Sequence, residues 1–447
     1  MIMSGKTFNK LIIAAMALMI SSVCANAQTY GSYSPYSIFG VGDLSAPGTA
    51  YNRSMGGVGV AGRSSKFINP VNPASITARD TLAFMADFSI YSDNKLFQQG
   101  DMKNAYNTAN IGDLIMTFPI MSRASAMMIG IMPYSNTGYG YSASYDDPAL
   151  IGKTGYINYQ ANGRGAIYQA FVGAGVTFFK RISLGAQLNY YFGQTEKSFY
   201  ETFADASYSG AKGGYILQLN SFGGKFGAQY EQPLGTKSTL TVGATYQLAS
   251  NLGGFVEGYR YSSGTAAVDT LYHNIDTLSK NPGKVKLASE IGVGINFKYA
   301  DKFTAEFDYT RSDWTKTGLD LTPGFTGNLQ PGTGHSVFST TASEAYRFGL
   351  EYTPNRSDIR YYFRKVSYRA GAYYKKDYYL LDGQGINSMG ITLGATLPVT
   401  NRNTGLTFGI DFGQRGSMAG NLIRERYINF TVGISIFDTW FVKYHYD

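Results

Sequence analysis

This sequence calls for an all-β fold: an antiparallel transmembrane β-barrel of about fourteen strands with an N-terminal plug inside the lumen. Composition, the period of the hydrophobic pattern and the N-terminus each point there. Tyr (37), Phe (28) and Gly (54) are abundant, Pro (13) is scarce and only 15% of residues are charged. Soluble domains average about a quarter charged. From about residue 80 onward apolar and polar residues alternate with period two, in runs of about ten, the length a tilted strand needs to cross a bilayer. No stretch after the first 27 residues is apolar enough for a transmembrane helix.

The N-terminus predicts the compartment. Lys6 and Lys10 form a positive flank, residues 11–20 an apolar run, and Ala25-Asn26-Ala27 a small-residue cleavage site. Residues 1–27 therefore read as a signal peptide, with Gln28 starting the mature chain. Bulky Val23 before Cys24 argues against lipoprotein processing. Without Cys24 the mature chain has no cysteine, which removes disulfide scaffolds, thiolate metal sites and cysteine nucleophiles together. The expected destination is the outer membrane of a Gram-negative bacterium. Bilayer lipid would surround the barrel, and the barrel-insertion machinery would be a transient partner.

Residues 28–80 are rich in Gly, Ser, Asn and Pro and lack the strand pattern. They also carry Ile38, Phe39, Met55, Val58, Val60, Phe67 and Ile68, too apolar for a tail in water. A barrel of about eight strands closes on its own side chains, whereas one of fourteen has a lumen that needs filling. Residues 28–80 are accordingly expected to form the plug, and residues 81–447 the barrel.

Strands are expected at 82–91, 111–121, 125–134, 165–179, 182–194, 214–230, 238–249, 286–299, 302–313, 344–353, 365–374, 388–397, 404–414 and 425–436. Short connections such as 122–124 and 300–301 alternate with longer ones such as 92–110, 195–213, 250–285 and 314–343. Short periplasmic turns and long outer loops are the barrel rule, so both termini should be periplasmic. Parity assigns the faces: Ile291, Val293, Ile295, Phe297 and Tyr299 to lipid, against Glu290, Gly292, Gly294, Asn296 and Lys298 to the lumen.

Three stretches carry a likeness to a known family. The first is Met55-Gly56-Gly57-Val58-Gly59-Val60-Ala61 followed by Asn69-Pro70-Val71-Asn72-Pro73-Ala74-Ser75. The second is Pro282-Gly283-Lys284-Val285-Lys286-Leu287 leading to Gly292-Val293-Gly294, and the third is Asp308-Tyr309 with Asp313-Trp314. On these the chain resembles the FadL-type outer-membrane transporters of long-chain fatty acids and aromatic hydrocarbons, in a style similar to Bacteroidetes members. The resemblance implies passive uptake of a hydrophobic small molecule without a cofactor. It also implies release sideways through a gap in the wall beside the third strand.

Candidate gate residues follow. Asn72-Pro73-Ala74 is either the plug element at the side opening or an ordinary Asn-Pro turn; Phe67 and Ile68 precede it. Gly130 and Pro133 weaken pairing in the third strand, and Met128 and Met132 take its inner face. They read either as an apolar opening or as packing beneath a strand end. A lumen polar set, Glu290, Lys298, Glu306, Asp308, Arg347, Glu351 and Arg369, should pair internally and with Arg53, Arg63 and Lys66. Trp440, Phe441, Tyr444 and Tyr446 read as an interfacial girdle, although Asp447 rather than an aromatic comes last.

Other classes are disfavoured. His273, His335 and His445 are scattered, which speaks against a metal site and against a catalytic set on a strand face. No Lys/Arg stripe with interleaved aromatics suggests nucleic acid. A monomer that is not an enzyme is expected. The rival reading is a FadL-like barrel serving as an assembly or shuttle subunit of a protein secretion system.

Overall fold

The computed structural model describes residues 31–79, 83–121, 124–145, 147–262, 268–274, 285–329, 338–399, 404–420 and 422–439. The expected signal peptide, His335, His445 and the aromatics at 440–446 lie outside these. Among the described residues fourteen long strands form one antiparallel barrel. They are β1 (Ala83–Gln99), β2 (Met102–Met121), β3 (Ser125–Tyr145), β4 (Ile157–Phe178), β5 (Ile182–Phe203), β6 (Ala211–Leu234) and β7 (Ser238–Gln247). The second half is β8 (Ser289–Tyr299), β9 (Phe303–Asp313), β10 (Ala342–Tyr352), β11 (Ser367–Leu381), β12 (Gln384–Pro398), β13 (Gly405–Arg415) and β14 (Arg424–Thr439). Each pairs with its successor, and Phe88 of β1 stands opposite both Leu114 of β2 and Ile434 of β14, which closes the ring.

The strands differ from expectation in length. β3 has 21 residues and β6 has 24, about twice what a tilted crossing needs. The expected loop 92–110 is a hairpin turning at Gly100, and much of 195–213 continues β5 into β6. Within 250–285 a strand Gly253–Ser262 pairs with the start of β6. In these extensions inner positions such as Tyr139, Ala161 and Phe199 stay buried in an apolar cluster with Ile38 and Leu329, whereas outer positions such as Asn158, Gln160 and Asn162 are polar. The apolar alternation therefore fades there, while backbone pairing continues.

The face assignment agrees with the structure. Ile295, Phe307 and Phe348 lie side by side on the outer surface, and Val293 is 48% exposed, whereas Gly292 and Asn296 are buried inside. Val293→Arg should cost about 2–4 kcal/mol in a bilayer, read as a loss of refolding yield into lipid vesicles relative to Val293→Leu. Equal yields would mean that this face does not meet hydrocarbon. Toward the short turns Tyr299, Phe303, Tyr352 and Tyr368 stand in register across β8 to β11. This is an aromatic row of the kind that marks a membrane interface.

The N-terminal segment 31–79 has little regular structure, only single turns such as Pro35–Ile38, Ala50–Arg53 and Pro73–Thr77. It is nevertheless packed: Met55, Val58, Val60, Ala61 and Ala74 are almost solvent-free. Glycines on the lumen parity explain how. A Cβ at Gly371 would collide with Met55 and Gly56, one at Gly185 with Pro73 and Ala74, and one at Gly243 with Val60. The wall is bare backbone where the segment's backbone lies against it.

Candidate functional site

The wall is interrupted at β3. β2 pairs with it only from Met121↔Ser125 to Leu114↔Ile131. Above that β3 runs on to Tyr145 beside β4 alone, with a bulge between Pro133 and Ser135. Pro133 has no N–H to donate, so the ladder weakens there at least cost. The vacated edge is taken from inside. Asp43 and Leu44 pair with Asn136 and Ser135. Ser34 N–H donates to Gly138 C=O at 2.7 Å, and Ser45 N–H to Tyr134 C=O at 2.9 Å. Toward β2 the same segment is held by Asn110, whose amide donates to Gly31 C=O, and by Tyr33 stacked on Tyr106 at 4.0 Å.

A cavity of about 390 Å³ lies behind this closure. Met132, Pro133 and Tyr134 of β3 and residues 44–48 bound one side. The other side is a polar row in register across adjacent strands: Gln187, Lys225, Gln247, Glu290, Ser312 and Ser343. Arg347 also lines the cavity and donates to Thr310 Oγ1 at 2.9 Å. In all, seven acidic and six basic side chains border the chamber.

Buried ionic contacts hold the closing segment. Arg415 reaches Asp43 at 2.5 Å, Asp377 at 2.7 Å and the Tyr379 hydroxyl at 2.7 Å, and its guanidinium lies 5.0 Å from the Tyr36 ring centre. Burial pushes the Tyr36 hydroxyl up to about 12. Lys197 Nζ donates to the carbonyls of Ile38 (2.7 Å) and Gly324 (2.9 Å), joining the segment to the connection after β9. Neither clasp is visible in the sequence: Lys197 and Arg415 lie just beyond the strands expected at 182–194 and 404–414, Asp43 is 372 residues from Arg415, and the Lys197 partners are backbone carbonyls.

Lower down, the wall grips backbone. Asp308 Oδ2 accepts from Gly59 N–H (2.6 Å) and Val60 N–H (2.9 Å), and Glu306 Oε1 accepts from Ala61 N–H (3.1 Å). Arg369 donates to Glu351 at 2.8 Å and lies over the rings of Tyr51 (4.5 Å) and Phe67 (4.7 Å). Arg63 reaches Glu231 at 3.3 Å and Ser183 at 2.8 Å. Burial lowers the Arg63 pKa, opposed by Glu231.

The expected gate residues divide into two groups. Ile68 shares an apolar cluster with Met128, Ile76, Ile115 and Phe171, with Met132 at its edge. Gly130 faces Phe171 and Ile115. Asn72-Pro73-Ala74, however, does not meet Gly130 or Pro133. Asn72 Nδ2 donates to Val60 C=O at 2.7 Å and points at the Ala228 and Ala244 carbonyls at 3.4 Å, while its Oδ1 caps Ala74 N–H. Pro73 lies against Gly185 and Gly227. The reason is steric: β5 and β6 offer bare glycine backbone at that height, whereas β3 offers Met128. Phe67 is likewise placed with Tyr51, stacked at 4.5 Å, rather than at the opening. Of the polar set, Lys298 stands apart, pairing with Asp301 at 2.6 Å beside a short turn. Glu290 accepts from Ser312. Arg53 lies 4.9 Å from the Tyr91 ring centre rather than on a carboxylate of that set.

A family model described as BamG matches residues 8–447. No curated protein matches the sequence. Among solved structures the chain is similar to the Pseudomonas putida toluene transporter TodX, with 14% identity, a TM-score of 0.56, and coverage of 90% of this chain and 100% of that one. It is similar to the CymD monoaromatic hydrocarbon channel, with 14% identity, a TM-score of 0.55 and coverage of 87% and 97%. It is also similar to a Pseudomonas aeruginosa FadL homologue, with 10% identity, a TM-score of 0.53 and coverage of 89% and 99%. At such identities the likeness speaks for a shared fold.

Proposed function

This chain belongs to the BamG family, and we propose that it is an outer-membrane channel that passes a small hydrophobic compound bearing a polar group through the lumen chamber and out beside β3. One observation carries the reading: the chamber meets the wall at residues 132–134, where the β2–β3 ladder stops and, among the described residues, the N-terminal segment closes the gap. A side exit there would spare the ligand a return to water, and each buried methylene favours that route by about 0.8 kcal/mol. The polar row with Lys225 and Arg347 suits a headgroup, and Leu44, Met132 and Pro133 on the facing side suit an apolar body. The names of the structural neighbours, a toluene transporter and a monoaromatic hydrocarbon channel, support a hydrophobic cargo. In this reading residues 31–79 are the plug and the short turns face the periplasm, with both termini on that side.

The test locks the closure. Leu44 and Ser135 are strand partners, within disulfide reach at about 4.5–5.5 Å between Cα atoms. Leu44→Cys with Ser135→Cys, in a Cys24→Ser chain, should crosslink under mild oxidation. Oleate uptake by intact cells should fall and return on reduction. A crosslink that forms without changing uptake would sink the channel reading.

A second reading, a barrel subunit of a protein assembly or secretion machine, is favoured by the thirteen acidic and basic side chains around the chamber, a poor bed for an apolar ligand. Unchanged uptake in the locked variant, together with recovery of the barrel in a stable large complex, would move the assignment there.

A further inference from the structure

The connection between β10 and β11 is the longest at the short-turn end, and it is built to hold a shape. Asp358 Oδ1 accepts the backbone N–H groups of Arg360 and Tyr361, both at 2.8 Å, and Arg364 closes on its other oxygen at 3.3 Å. The Arg364 guanidinium lies 4.8 Å from the Tyr361 ring centre. The loop is fastened to the barrel rim by the Tyr362 hydroxyl on Pro398 C=O (2.9 Å) and the Tyr368 hydroxyl on Phe363 C=O (3.1 Å). The self-capped loop presents two large apolar side chains: Ile359 is 98% exposed and Phe363 is 74% exposed.

Isolated exposed apolar residues need no explanation. Two of them on a rigid loop fastened to the outer face do. Tyr368 belongs to the aromatic row Tyr299, Phe303, Tyr352 and Tyr368, so the loop continues the lipid-facing interface just beyond it. Arg360 is exposed, with its guanidinium 5.4 Å from the Tyr361 ring centre, Lys365 is half-exposed, and among the described residues neither forms a salt bridge. Aromatic and aliphatic tips beside cations are what a phospholipid interface receives, with the tips about 5–10 Å into the headgroup and acyl boundary and the cations at the phosphates.

We propose that residues 358–365 are a lipid anchor that seats Ile359 and Phe363 in the bilayer leaflet at the short-turn end, with Arg360 and Lys365 on phospholipid phosphates. This is independent of what the lumen carries. To test it, Phe363→Cys in a Cys24→Ser chain is labelled with a polarity-sensitive nitrobenzoxadiazole dye. The protein is refolded into phosphatidylcholine–phosphatidylglycerol vesicles with cobalt available on both sides. Asp205→Cys, on an exposed connection at the opposite end, is the comparator. The label at 363 should emit at shorter wavelength, lose most of its emission to lipids carrying a nitroxide near the headgroup, and resist cobalt; the label at 205 should do the reverse. Adding Arg360→Glu and Lys365→Glu should return the label at 363 to the aqueous profile, and an unchanged profile would overturn the phosphate contact. If the label at 363 behaves as the label at 205 does, the loop stands in water, as a knob for a protein partner would, and the lipid anchor is overturned.

Discussion

Removing residues 31–79 should turn a closed barrel into a large, steady ion conductor. A fourteen-strand wall is intermediate between small barrels filled by their own side chains and porins of about 16–18 strands that enclose water, and its glycine-lined inner face cannot fill it. The barrel should survive the deletion. Asp308 and Glu306, which now accept backbone N–H groups of the segment, would exchange those donors for water in an open lumen. The ladder from β1 through β14 does not pass through the segment, except along the upper edge of β3. Planar-bilayer recordings of parent and truncated protein decide the matter. A truncated barrel that conducts no more than the parent would show that the segment does not seal the pore.

The single substitution with the largest expected effect is Arg369→Leu. The Arg369 side chain is 0% exposed, and its Nε donates to Glu351 at 2.8 Å. Its NH1 donates to Thr396 Oγ1 at 2.7 Å, and its plane rests on Tyr51 and Phe67. Leucine would leave Glu351 as a nearly buried carboxylate without its cation, a loss of about 3–5 kcal/mol. It would also free the aromatic pair that ties the segment to β11. Urea unfolding of vesicle-inserted protein should show the shift, and bilayer recordings should show brief openings absent in the parent. Glu351→Leu added to Arg369→Leu should recover part of the stability, because removing both charges leaves no orphan. A cost of about 1 kcal/mol or less, as for an exposed pair, would mean that the site is wetter than its packing implies.

Much of the barrel was legible in the sequence. Period-two alternation is a local property, so all fourteen strands and the lipid face of β8 could be read residue by residue, with Val293 outward and Gly292 inward. Their upper ends were not legible, because above the bilayer the outer face need not be apolar, and the inner face packs on remote residues such as Ile38 and Leu329. Ile68 and Met128, both read as gate residues, were brought into one buried apolar cluster by the fold. Asn72 was not. Its family-like motif named an important turn but carried no information about which strand would face it.

Local chemistry thus declared a membrane barrel with a lumen-seeking N-terminal segment, because alternation, glycine parity and apolar content are written in neighbouring residues. Tertiary structure alone decided how the N-terminal segment meets the wall. The pairing of Asp43 and Leu44 with β3, the Arg415 clasp on Asp43 and Asp377 and the backbone grip of Asp308 each join residues remote in sequence. Several of those partners are backbone N–H and C=O groups, which every residue carries and no side-chain pattern can announce.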